Sequence, residues 1–85
     1  MEEFTYTVKQ TIARLADICP RCLSTYILII ENLNEKDEVE FTREDIINNY
    51  ARSWTKFKND IRILASFNIL SFCDKGTILQ VEMSE

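Results

Sequence analysis

Two groups of residues in this 85-residue chain have types and spacings that could do chemistry. The first is Cys19-Pro20-Arg21-Cys22, with Cys73 the third and last cysteine. Two thiols at this spacing can close a disulfide or offer two thiolates to a metal. A structural zinc wants four nitrogen or sulfur ligands, whereas the chain has no histidine and only Cys73 to add. A mononuclear site would need a carboxylate or a second copy's pair, so no metal is assigned. Redox catalysis by such a motif wants a βαβ setting, which the flanking sequence lacks. Three readings stay open: two small buried apolar side chains, a disulfide between Cys19 and Cys22, or half of a metal site. A disulfide at a helix start would suit a hyperthermophilic host, where intracellular disulfides are common.

The second group is a cluster of bases. Between residues 52 and 62 stand Arg52, Lys56, Lys58 and Arg62 against Asp60 alone, with Ser53, Thr55 and Asn59 among them. The whole chain is acidic, at −4, but unevenly so. Residues 1–45 hold ten acids and five bases; residues 46–85 hold four acids and five bases. A local basic patch can engage phosphates on an acidic protein, without help from the long-range field. An ordinary solvated helix face is the plain rival reading. Enzyme chemistry is not expected: the chain has no histidine, no Gly-rich phosphate loop and no carboxylate pair distinct from solvated charge. No cofactor is expected either.

These residues must be positioned by a small fold. The length suits one domain, and one Gly and one Pro among 46% hydrophobic residues argue for helices rather than loops. No apolar segment approaches the roughly 20 residues of a membrane span, and Met1-Glu2-Glu3 does not open like a signal peptide. The expectation is an intracellular, cytoplasmic protein.

Phe4, Val8, Ile12, Leu15 and Cys19 recur at helical spacing and predict an amphipathic helix over 3–18. Pro20 breaks it and suits the first turn of a second helix, 20–33, with Leu23, Ile27, Ile30 and Leu33 inward and Tyr26, Leu28 and Ile29 widening that face. After the charged loop 34–38, Val39-Glu40-Phe41 alternates as a short strand would. Thr42-Arg43-Glu44-Asp45 has the form of a capping box, with Phe41 and Ile46 placed as its hydrophobic staple, and predicts a helix over 42–50. Ser53 can cap a further helix, 53–67, whose inner stripe is Phe57, Ile61, Leu64 and Phe67. Tyr50 and Phe57 are assigned to the core. Asn68 tolerates the left-handed conformation that helix ends favour. Two strand-like runs around Cys73-Asp74-Lys75-Gly76 predict a hairpin over 69–82.

This inventory is mainly α with a small β-hairpin, an α+β domain. It resembles the winged helix-turn-helix superfamily with an extra N-terminal helix. The residues that carry the resemblance are Asp45-Ile46-Ile47-Asn48-Asn49-Tyr50, then Ser53-Trp54-Thr55-Lys56-Phe57, then Leu64-Ala65-Ser66-Phe67-Asn68-Ile69-Leu70, where Asn68 replaces the superfamily's usual Gly. The chain looks similar to small prokaryotic or archaeal regulators, and its size, cysteines and lack of histidine are similar to proteins of archaeal viruses and plasmids.

The resemblance implies a sequence-specific regulator that binds double-stranded DNA and inserts helix 53–67 into the major groove. It places Trp54, Thr55, Lys58, Asn59 and Arg62 on the outward face, with Ser53 and Lys56 beside them and Lys75 at the hairpin tip. Lys58 and Arg62 suit phosphates or guanine edges and Asn59 suits adenine, while Ser53 and Thr55 lie where a helix N-terminus favours a phosphate. Trp54 could instead pack on helix 20–33. Helix 3–18 is surplus to the superfamily's layout. It either adds a core layer or pairs with its copy through Phe4, Val8, Ile12 and Leu15; the homodimer is the favoured use, because a short chain gains core from it. The alternative function is a winged-helix protein–protein interaction module without DNA binding, which the acidic first half would suit.

Overall fold

Pro20 divides the N-terminal part of the chain into two helices. Cys19 takes φ −153° and ψ 71°, and Pro20 stands in the first turn that follows, the position its ring tolerates. Helix α1 (Tyr6–Ile18) therefore gives way at once to α2 (Pro20–Asn32). The structure, a computed structural model, describes residues 6–84; Phe4, expected in a dimer stripe, lies outside them.

Five elements follow: strand β1 (Glu38–Thr42), helix α3 (Arg43–Asn48), helix α4 (Trp54–Ser66), and strands β2 (Leu70–Asp74) and β3 (Ile78–Met83). The strands form an antiparallel sheet in the order β1-β3-β2, so the third strand expected beside the hairpin is present. Its register pairs Val39 and Phe72 with Val81, and Phe41 with Leu79. Those residues make one face, packed on the helices, while Glu38, Glu40, Gln80, Glu82, Ser71 and Cys73 are exposed. The domain is thus four helices and a small three-stranded sheet. No helix among the described residues is long and apolar enough to cross a membrane.

The caps that punctuate the helices are those expected, with one difference. The Thr42 hydroxyl accepts from the Asp45 N–H at 3.2 Å and the Ser53 hydroxyl from the Lys56 N–H at 3.3 Å. The Asp45 carboxylate, instead of closing a capping box, accepts from the Asn49 side-chain amide at 3.0 Å. At the end of α4, Asn68 adopts φ 61°. The N–H groups of Asn68 and Ile69 then bond to the carbonyls of Ala65 and Leu64, the paired closure of a Schellman motif.

Three packing expectations need correction. Tyr50 is 36% exposed rather than core. Helix α3 ends at Asn48 instead of reaching 50, and Tyr50 lies in the turn, with its hydroxyl donating to Asn32. In α2 the innermost residues are Cys22, Thr25, Tyr26 and Ile29; Leu23, Leu28, Ile30 and Leu33 are half-buried around them. That helix is rotated from the purely apolar stripe, with the Thr25 hydroxyl and the Cys22 thiol meeting Asp60 of α4. Finally, Leu15 is fully buried, with Val8 and Ile12 packed against the same core. Helix α1 is a core layer of its own protomer, and Leu15 is unavailable to a partner.

Candidate nucleic-acid interface

Helix α4 begins at a turn built by local chemistry. Ala51 holds φ 52° between α3 and α4, and its neighbour Arg52 sends its backbone N–H to Ile46 O at 3.0 Å. Ser53 caps the helix. Phe57, Ile61 and Leu64 then anchor α4 in the core at 1% exposure or less, and Phe57 meets Phe41 edge-on with centroids 5.0 Å apart.

Asp60 shares that inner face. It is 8% exposed, and its carboxylate accepts from the Thr25 hydroxyl at 2.8 Å and from Arg21 at 3.4 Å, while the Cys22 thiol donates to it at 3.9 Å. Arg52 reinforces the junction by donating to the Thr25 hydroxyl at 3.1 Å and to Ser24 at 3.4 Å. Burying a carboxylate is costly unless such donors surround it. The network locks α2 to α4 and removes the one acid of residues 52–62 from the surface of α4.

The opposite face of α4 exposes Thr55, Asn59, Arg62 and Ser66, while Ser53 and Lys56 are exposed at its flank, on the side of Asp60. Thr55, Lys56 and Asn59 therefore stand where the sequence reading put them. Arg62 is also outside, its side chain 54% exposed, donating to Asn59 at 3.2 Å and reaching Asp74 at 3.5 Å.

Two expected contact residues have other employment. Trp54 is half-buried: its indole N–H donates to Gly76 O at 3.1 Å, and its ring lies nearly parallel to that of Phe57, centroids 6.1 Å apart. It packs neither on α2 nor freely outward, but clasps the hairpin tip. Lys58 points the same way, with its ammonium 2.6 Å from Asp74 and 5.7 Å from the Trp54 ring centroid, and only 19% of its side chain exposed. Both are corrections to the outward assignment, and both follow from the hairpin folding back onto this side of α4.

The hairpin tip is thereby fixed. One Asp74 oxygen accepts from the Gly76 N–H at 2.8 Å and the other faces Lys58 and Arg62. The Lys58 hydrogen bond, then the Gly76 N–H, hold the Asp74 carboxyl below its ordinary pKa. Gly76 takes φ 89°, which a side chain would resist, and Lys75 is left exposed at the turn.

Sequence reasoning missed the roles of Asp60, Asp74 and Arg52. A signal existed for the first: Asp60 stands three residues after Phe57 and four before Leu64, inside the apolar stripe. An Asp two positions before a turn glycine was the corresponding hint for Asp74.

Cys19, Cys22 and Cys73 are free thiols, respectively half-buried, buried and exposed. Cys19 Sγ lies 3.0 Å from Cys22 Sγ. Burial, then the hydrogen bond shared with Cys19, then the nearby Asp60 charge push the Cys22 thiol up to about 12. Among the described residues, no three of His, Cys, Asp or Glu come together so as to hold a metal ion. No family model, no curated protein and no solved structure matches the chain.

Proposed function

We propose that this chain is a winged helix-turn-helix domain acting as a sequence-specific regulator on double-stranded DNA, with α4 as its recognition helix and the β2–β3 hairpin as its wing. The observation that carries the reading is the inward turn of Asp60: it leaves Thr55, Lys56, Asn59 and Arg62 exposed on α4 with no exposed acid of that helix among them, Asp74 of β2 being the carboxylate that reaches Arg62. The order α2-β1-α3-α4-β2-β3 and the capped turn between α3 and α4 support the same layout.

In this reading Lys56 and Lys75 meet phosphates, Asn59 pairs with an adenine edge, and Arg62 exchanges Asn59 and Asp74 for a phosphate or guanine. Ser53 and Thr55 contribute hydroxyls at the helix start. Trp54 and Lys58 act from behind, holding the wing against α4. A homodimer would set two such helices about 34 Å apart on a palindromic site, through a surface other than Val8, Ile12 and Leu15.

Titrating the protein into a labelled duplex of mixed sequence at two salt concentrations tests the reading. Binding should weaken steeply with salt, because counterions return to the phosphates. Lys56→Ala and Arg62→Ala should each weaken it and flatten the salt slope by about one. Absence of binding at low salt refutes the proposal. A second reading, a protein-interaction module, is favoured by the acidic outer face of the sheet, where Glu38, Glu40 and Glu82 line a groove of about 450 Å³. Capture of a basic peptide with no affinity for DNA would select it.

A further inference from the structure

The cysteine pair has the geometry of a reactive site independent of the DNA reading. Cys19 is the N-cap of a 13-residue helix and Cys22 lies three residues on, one turn further along. Their sulfurs are in hydrogen-bond contact at 3.0 Å, so forming a bond between them calls for side-chain rotation rather than refolding. Their environments differ sharply: Cys19 is half-buried and within reach of a small reagent, whereas Cys22 has no exposed surface. Behind Cys22 stands a carboxylate, the Asp60 oxygen at 3.9 Å, accepting from its thiol. The relay thus runs from Cys19 through the fully buried Cys22 to Asp60. Cys73, on an exposed strand position, lies outside it.

We propose that Cys19 and Cys22 form a thiol–disulfide exchange site for small-molecule disulfides such as oxidised glutathione, with Cys19 as the attacking cysteine, Cys22 as the resolving cysteine and Asp60 as the proton acceptor for Cys22. In the first step Cys19, its proton lost to water, attacks one sulfur of the small disulfide. The reagent's S–S bond breaks, half of it leaves as a thiolate that takes up a proton, and the other half stays on Cys19. In the second step the Cys22 thiol passes its proton to Asp60 and attacks the Cys19 sulfur. The Cys19–Cys22 bond forms, and the second half leaves as a thiolate that collects the proton. Two protein thiols are oxidised and one external disulfide is reduced to two thiols. Burial holds Cys22 as a thiol, which is why the second step needs a base at hand.

The test uses the full chain carrying Cys73→Ala, its fold checked by circular dichroism, incubated with oxidised glutathione under native conditions. Free thiols are then alkylated and the peptides weighed. The expected product is an internal Cys19–Cys22 disulfide. Adding Cys22→Ser should stop the reaction with glutathione on Cys19, whereas adding Cys19→Ser should leave Cys22 unmodified until denaturant is added. Asp60→Asn should slow closure at least about tenfold and let the mixed disulfide accumulate. Two reduced cysteines at oxidant levels that modify the unfolded chain would overturn the proposal, as would equal adduct yields on Cys19 and Cys22 in the single-cysteine variants. Unchanged closure in Asp60→Asn would remove Asp60 from the mechanism.

Discussion

Asp60 and Asp74 each gather basic or hydroxyl donors from another element, and the two carboxylates shape the surface of α4 from opposite sides. Asp60→Ala removes the acceptor for the buried Thr25 hydroxyl and for Arg21. It should cost about 1–3 kcal/mol, because buried donors are left without partners; urea denaturation of the variant beside Asp60→Ala/Thr25→Val would show the loss partly relieved when the orphaned hydroxyl is also removed. Asp74 carries a pH dependence. Its folded pKa is depressed, chiefly by Lys58, so its contribution is fully present above the ordinary carboxylate pKa and is lost as pH falls through the folded value. A carboxyl NMR titration should find Asp74 below the ordinary aspartate value, and Lys58→Met should bring it back up. A wild-type Asp74 that titrates at the ordinary value would refute the clasp. Neither role could be read from residue type alone. Asp60 occupies an inner helical position, but which donors would meet it depends on the rotation of α2, which the wider apolar face of Leu23, Ile27 and Ile30 concealed.

At the scale of elements, local punctuation was legible and facing was not. Pro20 and Asn68 act through their own backbone, and Thr42 and Ser53 through hydroxyls that cap the N–H three residues on, so the sequence marks the breaks between helices directly. The inner face of α2 and the fates of Trp54 and Lys58 are set by elements distant in the chain, and helical spacing cannot choose between two half-apolar faces. Tyr50 was misplaced because the turn after α3 starts earlier than the apolar pattern suggests. That turn supplies its own prediction. Ala51 sits at φ 52°, where a β-carbon costs about 1–2 kcal/mol, while glycine gives back about 0.4–1 kcal/mol through the unfolded chain. Ala51→Gly should therefore stabilise the fold by about 0.5–1 kcal/mol, and Asn68→Ala should destabilise it by about 1 kcal/mol. Thermal denaturation of both variants checks the pair; an Ala51→Gly variant that melts well below wild type would contradict the strained turn.

For the whole molecule, the α+β class, the element order and the third strand were readable from patterning and turn chemistry, whereas the use of α1 was not. Its stripe fitted the favoured dimer seam as well as a core layer, and the tertiary placement of Leu15 puts it in the core. Ile12→Glu should accordingly lower stability in the protomer, and sedimentation of wild type decides pairing by itself: two copies per particle keep the palindromic-site reading, and a monomer confines it to a single recognition helix. Charge is divided on the same scale. The outer sheet face carries Glu38, Glu40 and Glu82, while α4 exposes Lys56 and Arg62 with no exposed acid of its own, so in this reading a polyanion approaches α4 rather than the sheet. The most direct measurement is an amide chemical-shift titration with a DNA duplex at low salt. Shifts should concentrate at residues 53–62 and around Lys75 and be reversed by added salt; shifts centred on β1 and the outer sheet face, or none anywhere, would contradict recognition through α4.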